Sequence, residues 1–434
     1  MLGGTDRHRR STGPRARVDR RALVVMTASH AVNHVYVAAL AMVYPFVIVE
    51  FHATYATLGE LLALATLAGG LLQGVAGLAH RVSARLMLIG QNLGMALAAG
   101  LGALAPGLGV FGAARVLGGL ASWPQHPVGA GYLSDRFPDR RGAVLSWHTA
   151  GGSLGTVSVP LVASVVIASF GWRWALAGVT VVLLAGGLVV ALLLPGPIAP
   201  SAEHPGDPGT PTHPESRRVP LRQVLARPRV LALLAASTIA AGGRGLGTLS
   251  TYIPAYLHSG LGMSALAVGG VFTVVMGASV VGPVVAGHIG DRVGRRRLLV
   301  TTYVLGAVAT TAFGYAGHAG LGWLLLSGVA MGVFAYAESP LIQAVFSDLT
   351  GGADSRAAFG VFFAVAYGIG AIWVAVVGRI ITAHGFGPAF ATMGASFLVA
   401  GAIVALVRTG PDAAPAGPDE APAVQDDGPT GPRT

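Results

Sequence analysis

The chain has 434 residues, 53% hydrophobic and only 11% charged, with a mean hydropathy of +0.66; soluble domains carry about 25% charged residues, so an ordinary soluble globular protein is excluded. The formal net charge is +10 and every basic residue is an arginine, but the arginines fall in short clusters between long apolar runs, which is a membrane pattern and not a nucleic-acid-binding face. Cysteine is absent, which removes disulfide frameworks, thiol catalysis and thiolate metal sites.

A helix crosses a bilayer with about 20 apolar residues. In chain order that ruler predicts twelve spans, near 22–50, 54–79, 86–106, 108–133, 144–169 and 174–195, then 228–258, 264–288, 298–318, 320–347, 357–382 and 387–407. The runs are long, continuous and rich in Leu, Ala, Val and Gly, unlike the alternating strands of about 10 residues that build a membrane barrel. The first run follows an arginine-rich arm, 1–21. It is much longer than the roughly 7–15 apolar residues of a signal peptide and lacks a small-residue cleavage site, so it is read as a retained span. The Pro/Gly-rich stretch 196–220 cannot build a core and begins a linker, 196–227, between bundles 22–195 and 228–408; residues 409–434 read as a disordered tail.

Apart from Arg115, Arg173, Arg244 and Arg379, every arginine lies on the side that holds both termini. The positive-inside rule therefore predicts both termini in the cytoplasm; the expected location is the cell (inner or plasma) membrane. An even number of spans requires the termini to share a side, in agreement.

The halves echo each other. "GLAHRVSARLMLIG" between spans 2 and 3 aligns with "GHIGDRVGRRRLLV" between spans 8 and 9, His80-Arg81 opposite Asp291-Arg292. Two weakly repeated six-span halves are characteristic of carriers, with the substrate site at their interface near mid-membrane. In the second copy, Gly287 is suited to close helix approach and Gly294 to a tight reversal. Asp291 is suited to capping or pairing, and Arg292, Arg295 and Arg296 to the anionic leaflet.

Gly287-x-x-x-Asp291-Arg292-x-Gly294-Arg295-Arg296 resembles the cytoplasmic signature of the major facilitator superfamily. The resemblance implies an all-α polytopic protein of twelve transmembrane helices in two six-helix halves. It also implies a conformational latch between the halves, carried here by Asp291, Arg292 and Arg295. The first copy departs from the pattern, with His80 in place of the aspartate and Ser83 in place of the second glycine. That weakens the case for an equivalent latch between spans 2 and 3. Arg115-x-x-x-Gly119, "RGAVLSWHTAGGSLG" from Arg141 and "FGWRWALAG" from Phe170 also resemble the superfamily. Val159-Pro160 stands where its antiporter motif has Gly-Pro. The stretches Ser29–Pro45, Tyr55–Gln73 and Gln125–Asp135, with the His126-Pro127 pair, resemble the fosmidomycin-resistance-type exporters. That group tends to carry an aspartate where this chain has His34.

Ionisable groups inside hydrocarbon are costly and usually face a cavity. Here they are His30 and His34 (with Asn33) on span 1, Glu60 on span 2, Arg115 and His126 on span 4, Arg244 on span 7 and Glu338 on span 10. In the superfamily, spans 1, 4, 7 and 10 line the cavity. At about 1.5 Å per residue, His34 and Arg244 fall mid-span, His126 and Glu338 about one turn nearer the cytoplasm, and Glu60 and Arg115 in the outer half. These depths favour a Glu60–Arg115 pair. Arg244 and Glu338 are a second candidate pair, across the second half, although their estimated depths differ by about two turns; unpaired, Arg244 is the candidate to meet an anionic substrate. His30 and His34 sit one turn apart, suited to carrying a proton or to bonding neighbouring helices; with no third ligand in view, no metal and no cofactor are expected. Glu338 is the first choice for the proton carrier. Trp123, Tyr36, Tyr252, Tyr336 and Gln343 are candidate cavity walls or packing residues.

The expected function is secondary active transport of a small organic solute, as proton-coupled export by alternating access. The alternative is an importer or facilitator of a small anion or metabolite, and more distantly a non-transporting sensor. No phosphate-cradling Walker loop is present. No HExxH helix occurs, and His148 lies only two residues from Ser146, so an enzyme is not expected. The expected partners are the solute, protons and lipid, with no nucleic acid, and the chain is expected to be a monomer.

Overall fold

Within a bilayer, backbone N–H and C=O groups find partners only inside the segment, so long apolar runs become helices. The computed structural model describes residues 14–74, 82–137, 140–196, 221–350 and 355–407. Eleven helices among them are long and apolar enough to cross a membrane. Span 1 is Pro14–Glu50, span 2 Tyr55–Gly74 and span 3 Ala84–Ala103. Spans 5 and 6 are Arg141–Phe170 and Trp172–Leu193. Spans 8, 9, 10 and 12 are Ala265–Val293, Arg295–Ala316, Leu321–Leu349 and Phe386–Leu406. Span 1 starts as a helix inside the arm read as 1–21, and the short helix Leu221–Leu225 lies inside the segment read as linker. His80 and Arg81, residues 197–220 and the tail from 408 lie outside the described residues.

The twelfth crossing, span 4, comes in two pieces, Leu108–Ser122 and Gln125–Arg136. Pro124 and Pro127 cannot donate to the preceding turn, and the helix bends where they fall. Spans 7 and 11 are also interrupted. Span 7 runs Pro228–Ala240, opens at Ala241–Arg244, widens over Gly245–Leu249 and continues from Ser250. Gly247 there has φ 144°, which an L side chain rarely adopts. The freed carbonyls are covered by hydroxyls: Thr248 donates to Ala241 O at 2.8 Å and Thr251 to Gly247 O at 2.7 Å. Span 11 has a wide π turn, Ala364–Gly368, between Ser355–Phe363 and Ile372–His384.

Packing repeats between halves: span 1 lies on span 5, span 3 on span 6 and span 2 on span 4, as span 9 lies on span 12 and span 8 on span 10. The halves meet along spans 2 and 11 and spans 5 and 8. Gly70 on span 2 abuts Gly368 on span 11 so closely that a Cβ would come within 2.6 Å of the Gly368 Cα. Polar contacts tie helix ends together. At the arginine-rich end Arg136 pairs with Asp19 at 2.8 Å, and Arg296 donates to Val404 O at 3.0 Å and also to Ala405 O. At the opposite end Arg173 pairs with Glu50 at 2.7 Å.

Candidate functional site

Two buried polar groups stand out, one in each half. In the second half, Arg244 and Glu338 form a pair that is 3% and 0% exposed. Arg244 donates from Nε to Glu338 Oε2 at 3.1 Å and from Nη2 to Oε1 at 3.2 Å. Its other donors reach Ala366 O at 2.9 Å, Ser237 O at 2.8 Å and Ser237 Oγ at 2.9 Å. Tyr303 donates to Glu338 Oε1 at 3.2 Å, and the Tyr367 ring lies 4.8 Å from the guanidinium. A buried pair survives only when both members are bonded in this way.

This pairing corrects the depth argument, which opposed it. A rise of 1.5 Å per residue assumes an unbroken helix, and span 7 is open at Arg244. From that break the long side chain runs back along span 7 to Ser237, which removes the two-turn offset. The π turn in span 11 presents the Ala366 carbonyl to the same guanidinium. Arg244 is therefore engaged, not waiting for an anion.

In the first half, four imidazoles converge. His30 stacks on His148 with centroids 4.2 Å apart, and meets His34 at 4.7 Å and His126 at 5.1 Å edge to face. Nitrogens of His30, His34 and His126 all lie within 4.8 Å of one another. The reading that His30 and His34 had no third ligand nearby is thus corrected: span 4 brings His126, and span 5 brings His148. Span 5 approaches span 1 through small residues, with the backbone of Gly151 against Thr27 and that of Gly155 against Ala31. Gln125, fully buried, accepts from Ser29 Oγ at 3.0 Å and Gln91 Nε2 at 2.8 Å, which pins the second piece of span 4 beside span 1. His30 and His148 are buried, whereas His126 is exposed.

The expected Glu60–Arg115 pair is not formed. Glu60 accepts from Arg379 of the other half at 2.7 Å, and both side chains are exposed. Arg115 donates to Tyr36 Oη at 2.6 Å and Tyr44 Oη at 3.1 Å, inside its own half. The estimated depth agreed, but depth says nothing of which way each helix face turns. Asn33 is buried against Met95 of span 3. Tyr252 is fully buried and donates to Val374 O at 2.5 Å, so it packs span 7 on span 11. Trp123 is half-buried at the bend in span 4. Tyr336 meets Ser250 Oγ at 3.0 Å, and Gln343 donates to Ser339.

At the loop between spans 8 and 9, Gly294 has φ 91° and closes the reversal. Arg295 pairs with Asp348 of span 10 at 2.9 Å, in its own half. Arg296 holds the end of span 12, and Arg292 is exposed. Asp291 falls in the last turn of span 8, its side chain outside the described residues. The expectation for Gly287 is not met among the described residues: a Cβ there would touch none of them, so no helix approach between them depends on it. It borders a cleft of about 380 Å³ shared with Arg295, Pro340 and Gln343.

Twelve helical crossings in two equivalent sixes, with buried ionisable groups in the inner spans, define a multi-pass membrane transporter of small solutes. The chain belongs to the Major Facilitator Superfamily, whose family model matches residues 26–282 and 245–432. It is 26% identical over 369 residues to the fosmidomycin resistance protein of Escherichia coli (strain K12), covering 84% of this chain and 87% of that one. Its fold is shared with the nucleoside transporter NupG (TM-score 0.72, 13% identity, 90% and 100% of the chains). It is shared too with a D-xylose-proton symporter (TM-score 0.67, 15% identity, 88% and 96%).

Proposed function

We propose that this protein exports a small organic solute across the cell membrane in exchange for protons, with both termini in the cytoplasm. The observation that carries the coupling is the buried Arg244–Glu338–Tyr303 group. A proton delivered to Glu338 removes the charge that holds the guanidinium, and Arg244 is then left buried beside a neutral acid. Such a state is costly and favours rearrangement or solvent access. Protonation is thereby tied to a change of packing between spans 7, 10 and 11. The outward direction is supported by the relative named for fosmidomycin resistance. The arginine clusters support the orientation.

Among the described residues, the hydrogen bonds between the halves, Ala56 N–H to Thr382 Oγ1 at 2.9 Å and Arg379 to Glu60, lie at the end away from the arginine clusters. We read this as a state closed at that outer end. The loop between spans 8 and 9, through Asp291, Arg292 and Arg295, is the proposed latch of the opposite state. In inverted vesicles, uptake of labelled solutes should rise when a pH gradient is imposed, and Glu338→Gln should lose that response. Flux indifferent to the gradient in the wild type sinks the coupling, and uptake only into right-side-out vesicles sinks export.

A further inference from the structure

We propose that the histidine group of the first half is a binding site for a divalent transition-metal ion, with His30, His34 and His126 as ligands. The argument rests on where the ring protons are. His30 Nδ1 lies 2.7 Å from the carbonyl oxygen of His148. A carbonyl only accepts, so Nδ1 carries the proton and Nε2 keeps its lone pair. His34 Nδ1 lies 2.8 Å from Thr156 Oγ1, and that hydroxyl donates its one proton to Gly152 O at 3.0 Å. The Thr156 oxygen therefore accepts from His34 Nδ1–H, and His34 Nε2 is left with its lone pair too.

Metal-binding histidines are typically set in this way, one ring nitrogen donating to a carbonyl or a second polar group while the other faces the ion. His30 Nε2 is buried and has no hydrogen-bond partner. A buried acceptor left unmatched is costly, and a bound cation would relieve that cost.

Space is kept for the rings. A Cβ on Gly152 would stand 2.8 Å from His30 Cε1, and one on Gly129 2.8 Å from His148 Nε2. Two nitrogens bound tetrahedrally at about 2.1 Å are about 3.4 Å apart. The present separations of up to 4.8 Å must shorten for the ion to be bound, by turning of the rings, of which His126 is the exposed one. Imidazole suits Zn²⁺, Ni²⁺ and Cu²⁺. The group contains no carboxylate or thiolate, so three neutral ligands leave the ion its full charge, and an anionic oxygen or water entering from the His126 side completes four-coordination.

The test is binding, independent of transport. Full-length protein in detergent, stripped with a chelator, is titrated with Zn²⁺ alone, and zinc-edge X-ray absorption is recorded on the loaded sample. One ion per chain with at least three imidazole nitrogens near 2.0 Å is expected. His126→Ala should weaken binding at least tenfold, and His34→Gln likewise. No saturable binding, binding that survives both substitutions, or fewer than three imidazoles at the ion each overturns the site. The absorption measurement needs only the wild type, so a variant that fails to fold does not shield the proposal.

Discussion

Spans 1 and 7 hold equivalent places in the two halves, yet they handle buried polarity in opposite ways. Span 1 is one helix of 37 residues. It presents His30 and His34 at a fixed spacing to spans 4 and 5, and the groups gathered there are imidazole rings. Span 7 is broken at Arg244 and Gly247, and its buried Arg244 and the Glu338 it meets on span 10 are held by six hydrogen bonds. An unbroken helix can only display side chains at its own period. A broken one can swing a long side chain along its axis and offer carbonyls and hydroxyls beside it. The first arrangement suits a ligand that enters between fixed groups, and the second suits a contact that opens and closes.

The contrast is broken most forcefully at Glu338. Glu338→Ala leaves Arg244 buried without a counter-charge and should cost about 3–5 kcal/mol, read as thermal unfolding of the purified protein. The double change Arg244→Met with Glu338→Leu should recover most of that stability while transport stays lost. Recovery of transport as well would make the pair structural only. Gly247→Ala comes next. Its φ of 144° disfavours a side chain, so a loss of about 1–3 kcal/mol is expected by the same measurement. An equal loss from an alanine substitution in mid-span 1 would remove the contrast between the two helices.

Gly152→Ala sharpens the first half. The added methyl meets the His30 ring, and overpacking of this kind costs about 1–3 kcal/mol. It should also displace His30 from the His148 carbonyl, visible as a shift in the imidazole NMR signals. The smallest effect belongs to Glu60→Gln. Exposed pairs contribute about 0.2–1 kcal/mol, so stability should barely change, while the exposure of the outer end to a labelling reagent at a cysteine introduced at Thr57 should rise.

What the sequence made legible follows the same divide. The twelve crossings and the two halves were readable because lipid demands long apolar runs. His30 and His34 were readable as a pair because span 1 is continuous. His126 and His148 come from other helices, and their convergence depends on the Pro124 bend and on the small face of span 5. The signal was present as Gly151, Gly152 and Gly155 immediately after His148, a stripe that marks close approach to another helix. Arg244–Glu338 was readable as a candidate pair, but residue counting cannot see a broken helix and so set the two at different depths. Glu60 and Arg115 were placed at the right depth but wrongly paired, since one faces span 11 and the other the span 1 tyrosines.

The contact of Gly70 with Gly368 bears on how the halves move. Interlocked side chains at a seam between two bodies must climb over one another when the bodies tilt. Two facing glycines present little to climb, which suits this point of the seam to rolling of one bundle against the other. A single methyl group at position 70 is then a wedge, within 2.6 Å of the opposing Cα. Its main effect would be on the rate of exchange between open states and not on the affinity of either.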